Sequence, residues 1–294
     1  MTHKKIRKAI LPVAGFGTRF LPVTKTQPKE MLPIIDKPVI QYLVEEAVAS
    51  GIEEIILVTG RGKSAIEDYF DVSFELEYNL VEKGKHELLN QVRQIAKMAR
   101  FVYVRQPIPK GDGHAILCAK ELVQDEPFAV LYGDDIVDSE RPALGELIKA
   151  YNETGSSIVG LTNVAKTEVS NYGIVETDTE SINAKITSVK EKPSPSETTS
   201  TKAIIGKYII TPEVLNLLAK IESGQVDDGE IRLADALKEA VTKNIPLYGI
   251  QISGTRYDTG SKIGFLKATV DYALKRPELR SELLEHLRTI DLSG

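Results

Sequence analysis

Four short apolar runs in the first half of the chain, at residues 9–14, 55–59, 101–104 and 128–132, carry no polar alternation. A strand that is apolar on every side must be buried on both faces, which places it inside a sheet with helices above and below. Stretches of helical character separate the runs, at about 40–50, 64–69 and 115–122. The first of them stops at Gly51, where a left-handed cap is common. Strand, helix and strand in this order predict an α/β fold with a doubly wound, mostly parallel sheet. Ligands of such sheets bind beyond the carboxyl ends of the strands, so the residues following each run are the first candidates for function.

The second half is less regular. Residues 157–161, 173–175, 186–189 and 203–210 read as further strands, and the Pro-, Ser- and Thr-rich stretch 193–201 reads as a loop. Pro212 opens a helix at a position that tolerates proline, and helices at about 263–274 and from Pro277 to about 288 close the chain. No repeat or clean linker divides the 294 residues, so one domain is expected over 1–294.

Charge and cysteine content narrow the partners. The net charge of −5, without a basic stripe, argues against nucleic acid, so any phosphate must be held by a few placed cations and backbone N–H groups. The single cysteine, Cys118, cannot pair within the chain, which fits a reducing compartment. The basic start is followed by an apolar run that Pro12 and Gly15 interrupt, too short for a signal peptide. No run of about 18 apolar residues predicts a membrane span. A cytoplasmic protein is expected.

The first apolar run leads into Ala14-Gly15-Phe16-Gly17-Thr18-Arg19. Two glycines let backbone N–H groups face an anion at close range. Phe20 stands where a dinucleotide-binding loop wants its third glycine, and the second strand ends in Thr59 instead of an acidic residue; no Gly-Lys-Ser/Thr follows for a P-loop. The fourth run ends in Gly133-Asp134-Asp135, two carboxylates placed either to hold a hard cation or simply to turn the chain.

The longer string Gly15-Phe16-Gly17-Thr18-Arg19-Phe20-Leu21-Pro22-Val23-Thr24-Lys25-Thr26-Gln27-Pro28-Lys29-Glu30-Met31-Leu32-Pro33 resembles the signature of the sugar-1-phosphate nucleotidylyltransferase family. With Asp36-Lys37-Pro38 and Val58-Thr59-Gly60-Arg61-Gly62-Lys63, it is most similar to the bacterial branch that acts on UTP and glucose 1-phosphate. The likeness runs in patches to the C-terminal helices.

The resemblance implies a Rossmann-like, mixed sheet with a small sugar-side β region. Residues of about 1–140 would form the nucleotide-binding half, about 141–260 the sugar-phosphate half, and about 261–294 C-terminal helices available for an oligomer contact. It implies transfer of a uridylyl group from UTP to glucose 1-phosphate with Mg²⁺, giving UDP-glucose and pyrophosphate, in a homodimer or homotetramer. Such chemistry joins two polyanions and needs positioning and charge neutralisation instead of a protein nucleophile. By residue, the resemblance assigns Arg19 and Lys29 to the pyrophosphate and Lys192 to the sugar phosphate. It assigns Ala14, Gly15, Gly17, Thr18, Glu30, Gln106 and Gly111 to the nucleotide. Tyr172, Gly173 and Glu191 fall to the sugar, and Asp134 and Asp258 to the metal, with Asp135 supporting the loop.

Several positions depart from the family pattern. Asp112 replaces a leucine in Gly111-Asp112-Gly113-His114-Ala115 and is expected near the base or ribose, where it would bear on nucleotide choice. Asp228, Arg232 and Ala234 replace glycine, glutamine and threonine on the expected sugar side. Two other readings are transfer of another nucleotidyl group, such as thymidylyl, since one methyl is worth only about 1–3 kcal/mol in a pocket, and a sensor that binds a nucleotide sugar without reaction.

Overall fold

The computed structural model describes residues 3–223 and 229–291. Asp228, singled out above, lies outside the described residues. The strands are β1 (Lys8–Pro12), β2 (Pro33–Ile34), β3 (Lys37–Pro38), β4 (Glu54–Thr59), β5 (Arg100–Arg105), β6 (Phe128–Leu131), β7 (Asp135–Asp138), β8 (Ser157–Asn163), β9 (Gly173–Thr177), β10 (Asn183–Glu191), β11 (Lys202–Ile210), β12 (Leu247–Gln251) and β13 (Thr255–Asp258). The helices are α1 (Val39–Ala49), α2 (Ser64–Phe70), α3 (Phe74–Glu82), α4 (His86–Ala96), α5 (Asp112–Cys118), α6 (Lys120–Val123), α7 (Ala143–Thr154), α8 (Pro212–Ser223), α9 (Leu233–Thr242), α10 (Lys262–Lys275) and α11 (Pro277–Thr289).

The main sheet runs β5-β4-β1-β6-β11-β8-β12-β10-β9. Its first four strands are parallel, as their unbroken apolar runs predict. Side chains along β1 alternate between two helical layers. Ile10 packs toward α5, α8 and α9, whereas Ala9 and Leu11 pack toward α1, α2 and α7. Burying a branched aliphatic side chain contributes about 1.5–3 kcal/mol, so both layers hold the strand.

Beyond β6 the sheet changes character. β11 pairs antiparallel with both β6 and β8, and β10 pairs antiparallel with β12 and β9. A separate two-stranded ribbon of β7 and β13 lies beside the main sheet. Residues 74–96 form α3 and α4, to which the sequence reading assigns no element: on α3 Phe74, Leu76 and Tyr78 are exposed and its apolar residues trace no single stripe, whereas on α4 Leu88, Leu89, Val92 and Ile95 recur at helical spacing. Among the described residues no helix is long and apolar enough to cross a membrane.

Candidate active site

Two cavities, of about 440 and 310 Å³, open beyond the carboxyl ends of β1 and β6. Asp112, Tyr132 and Asp134 line both of them. The larger also takes Ala14, Gly15, Lys29, Glu30, Gln106 and Gly111 from the expected set. The smaller takes Arg19, Tyr172, Gly173, Glu191, Lys192 and Asp258. Gly17 and Thr18 line neither cavity.

The glycine loop is shaped by what it must avoid. Nothing would meet a Cβ at Gly15, which leaves its backbone open to the larger cavity. Gly17 has a φ of 65°, and a Cβ there would sit 3.1 Å from both the Lys29 and Thr24 side chains. Thr24 Oγ1 donates to the Gly17 carbonyl at 2.8 Å and closes the turn. Gly17 therefore builds the loop that presents Gly15, and Thr18 starts the short helical turn that carries Arg19.

Lys29 hydrogen-bonds Asp134 through its ammonium. Burial is the largest influence on that ammonium and works to lower its pKa, but Asp134, Glu30 and Asp258 together raise it. The neighbouring Glu30 is buried; its Oε2 accepts from Lys63 Nζ at 2.9 Å, while Oε1 has no partner. Burial pushes the Glu30 carboxyl up against the opposing pull of Lys63 and Lys29. Gln106, buried after β5, donates from Nε2 to the Gly111 carbonyl at 2.9 Å and lies 2.9 Å from His114 Nδ1. These two contacts fix the plane of its amide, so His114 serves as a structural partner of Gln106.

Two carboxylates meet at the shared wall. Asp134 follows β6 and Asp258 ends β13, where the ribbon register sets Asp258 opposite Asp135. Thr259 donates to the Asp134 carbonyl from its N–H and its hydroxyl, both at 2.8 Å. A Cβ on Gly260 would fall 2.4 Å from Asp134 Oδ2 and 3.0 Å from Asp258 Oδ1, so only glycine leaves room between these two oxygens. Burial, then the nearby Asp134 charge, raises the Asp258 pKa. Among the described residues no group of three or more His, Cys, Asp or Glu is set to hold a metal. Two hard oxygen donors around a space kept clear by glycine nevertheless fit Mg²⁺, which retains several waters and takes phosphate oxygens as further ligands.

Behind the carboxylates lies a network that sequence reasoning missed. Arg256 grips Asp135 with Nε at 2.9 Å from Oδ1 and Nη2 at 2.9 Å from Oδ2. Its guanidinium also lies over the Tyr172 ring, 5.2 Å from the centroid. Asp135 accepts the Gly206 N–H at 2.8 Å, and its carbonyl accepts from the fully buried Lys207 at 3.0 Å. Lys207 in turn pairs with Glu46 at 2.7 Å. The loop-supporting part expected of Asp135 is thus a buried ionic junction between β7, β11, β13 and α1.

On the far wall, Gly173 pairs with Glu191 across β9 and β10. A Cβ on Gly173 would meet Glu191 Oε2 at 3.1 Å, and Lys192 N–H donates to the Tyr172 carbonyl at 3.1 Å. Lys192 sits at a φ of 45°, a left-handed conformation costly for a side chain without a local reason. Its ammonium is exposed and 3.7 Å from Glu191. Burial raises the Glu191 pKa, opposed by Lys192 and Arg232.

Asp112 lines the larger cavity, on the expected nucleotide side, and the smaller one as well. Its carboxylate does not present itself to the larger cavity alone; it accepts the Tyr132 hydroxyl and, at 3.3 Å, the N–H of Leu233 at the start of α9. It lies on the partition between the cavities.

The chain matches the family model described as nucleotidyl transferase over residues 8–275. UTP–glucose-1-phosphate uridylyltransferase YngB of Bacillus subtilis is 50% identical over 289 residues, spanning 98% of this chain and 96% of that protein. A UTP–glucose-1-phosphate uridylyltransferase of Staphylococcus haemolyticus is 48% identical over 288 residues, spanning 98% and 99%. Among solved structures, a UTP-bound UGPase from Acinetobacter baumannii superposes with a TM-score of 0.89 at 37% identity, over 97% of this chain and 100% of that one. A UDP-glucose pyrophosphorylase complexed with UDP-glucose gives a TM-score of 0.82 at 42% identity, over 92% and 100%.

Proposed function

This chain belongs to the nucleotidyl transferase family, and from that premise we propose that it transfers the uridylyl group of UTP to glucose 1-phosphate, giving UDP-glucose and pyrophosphate. Relatives that carry this name match it over nearly their whole length. The observation that carries the mechanism is the meeting of two cavities at Asp134, one lined by the glycine loop and one by Tyr172, Glu191 and Lys192.

In this reading the larger cavity receives UTP. The backbone of Ala14 and Gly15 and the fixed amide of Gln106 supply donors and an acceptor for the uracil edge, with Gly111 and Glu30 completing the wall. The smaller cavity receives glucose 1-phosphate. Glu191 and the backbone at Tyr172-Gly173 meet the sugar hydroxyls, and the exposed Lys192 ammonium draws the sugar phosphate toward the partition. Lys29 and Arg19 flank Asp134 from the two sides and neutralise the charge that develops on the departing pyrophosphate. The attacking phosphate oxygen is already ionised, so no general base is required.

Asp134 and Asp258 would hold the Mg²⁺, which when bound supplies Lewis-acid neutralisation of phosphate oxygens. A cytoplasmic setting fits the lone Cys118, and a homodimer or homotetramer fits the exposed Ile263 and Leu266 on α10.

The test is pyrophosphate release with each of ATP, GTP, CTP, UTP and dTTP against several hexose 1-phosphates, with and without Mg²⁺. The fastest release is expected from UTP with glucose 1-phosphate and Mg²⁺. No release from any pair would sink the reading.

A further inference from the structure

The loop 110–113 and the segment 231–233 touch backbone to backbone. Gly113 N–H donates to the Ile231 carbonyl at 2.9 Å, and Ile231 N–H donates to the Lys110 carbonyl at 2.7 Å. A Cβ on Gly111 or Gly113 would come within 2.5 or 2.8 Å of that same Ile231 oxygen, so the approach depends on both glycines. Asp112 stands between them. Its carboxylate accepts the Leu233 N–H at 3.3 Å and the Tyr132 hydroxyl.

Each partner leads into the smaller cavity. Leu233 is the first residue of α9, and Arg232, Ala234 and Leu237 around it line that cavity. Tyr132 packs against Tyr208, with ring centroids 5.5 Å apart, and both residues line it too. At the other end of the loop, the Gly111 carbonyl takes the Gln106 amide in the larger cavity. One short stretch of chain therefore holds the wall of one cavity and the amide of the other.

We propose that Asp112 is a positioning residue that fastens the α9 wall and the Tyr132–Tyr208 pair to the Gln106 loop, and thereby selects the hexose 1-phosphate. This rests on the uridylyl-transfer reading, with the smaller cavity as the sugar subsite. The carboxylate makes no contact with substrate in this scheme. It sets where Arg232, Ala234 and Tyr208 stand when the sugar arrives, and a hydrogen-bonded wall of fixed position discriminates among hydroxyl arrangements better than a mobile one.

The experiment is steady-state kinetics on the full-length protein with Asp112→Leu, Asp112→Asn and Tyr132→Phe, varying glucose 1-phosphate and UTP separately. Galactose 1-phosphate and mannose 1-phosphate serve as competing sugars, and thermal melting runs alongside. Losing hydrogen bonds that organise one subsite is expected to raise the Asp112→Leu KM for glucose 1-phosphate about tenfold and to leave the KM for UTP within about twofold. Its preference for glucose 1-phosphate over the other two sugars should narrow. Asp112→Asn, which keeps an acceptor oxygen, should recover most of both effects, and Tyr132→Phe should move them the same way by less. Equal changes in both KM values would overturn the proposal, as would a lowered melting temperature with sugar KM and sugar choice unchanged in the Asn and Phe variants. A wild-type protein that releases no pyrophosphate would overturn the functional reading as well. An active wild type with indifferent variants would overturn only the part given to Asp112.

Discussion

The two cavities are built by different means, and the contrast explains their different sensitivity to change. The larger is framed by parallel strands and places the backbone of Ala14, Gly15 and Gly111 and the fixed amide of Gln106 on one side, with Lys29 and Glu30 of one short stretch, paired to Asp134 and Lys63, on the other. The smaller is framed by antiparallel strands and presents side chains held by ionic contacts that span the chain, from Asp135 to Arg256 and from Glu46 to Lys207. A backbone-framed site tolerates side-chain replacement around it, because its shape follows from sheet register. A site framed by charged side chains depends on every partner, since a buried charge without its counterpart costs several kcal/mol.

The wall common to both should be the most sensitive place of all. Asp134→Ala removes a proposed metal oxygen and the partner of Lys29 together. Loss of this much charge stabilisation is expected to lower kcat by on the order of 10³. Thermal melting should fall as well, because Lys29 loses its carboxylate partner, while the contacts to Thr259 run through the Asp134 backbone carbonyl and are kept. A variant that retained near-normal pyrophosphate release would remove Asp134 from the reaction and dissolve the idea of a shared wall.

Arg256→Ala separates the cavities. It leaves Asp135 buried without its cation and Tyr172 without its stacked guanidinium. Breaking a buried ion pair from one side typically costs about 3–5 kcal/mol, which urea denaturation would read directly. In whatever fraction remains folded, the KM for glucose 1-phosphate should rise more than the KM for UTP, since Tyr172 and not the glycine loop loses its support. If the two KM values rose together, the halves would not be built as separately as their contacts indicate.

The counterpart on the other side is Gln106→Ala. It removes one polar amide beside the backbone of Ala14, Gly15 and Gly111, so the expected change is a rise of about tenfold in KM for UTP, with discrimination between UTP and CTP reduced and the KM for glucose 1-phosphate unchanged. Its smaller size relative to Arg256→Ala is itself the comparison, one hydrogen-bonding group against a buried charge.

The same division governs what could be read from the sequence. The parallel strands announce themselves through unbroken apolar runs, and the glycine loop, Lys29 and Glu30 stand within one contiguous string. The β7–β13 ribbon escaped because its strands are four residues long and rich in charge, so neither length nor alternation marks them. Arg256 escaped because its partner lies 121 residues away, and nothing local distinguishes a buried guanidinium from a solvated one. Helix α3 escaped because its apolar residues do not keep to one buried stripe, with Phe74 and Tyr78 exposed, whereas α4 was legible in the helical spacing of Leu88, Leu89, Val92 and Ile95 and was passed over. Asp112 was visible as an unusual residue, but its partners at Tyr132 and Leu233 become apparent only when loop and helix are brought together in space.

Asp112 also gives the smallest and most specific test of the partition between the cavities. Burial raises its pKa above the usual aspartate value of 3.8, against the opposing hydrogen bonds from Tyr132 and Leu233. A carboxyl whose folded pKa exceeds its unfolded one binds more protons in the native state. Stability therefore falls as pH rises through the interval from 3.8 up to the folded pKa, and the difference is constant above it. Asp112→Asn has no proton to lose there. Melting temperatures taken from about pH 4 upward should show the wild type losing stability relative to Asp112→Asn over that interval and running parallel to it at higher pH. A constant offset at every pH would mean that the carboxyl titrates alike in folded and unfolded chains. The partition would then be held by the backbone contacts of Gly111, Gly113 and Ile231 without help from a buried charge.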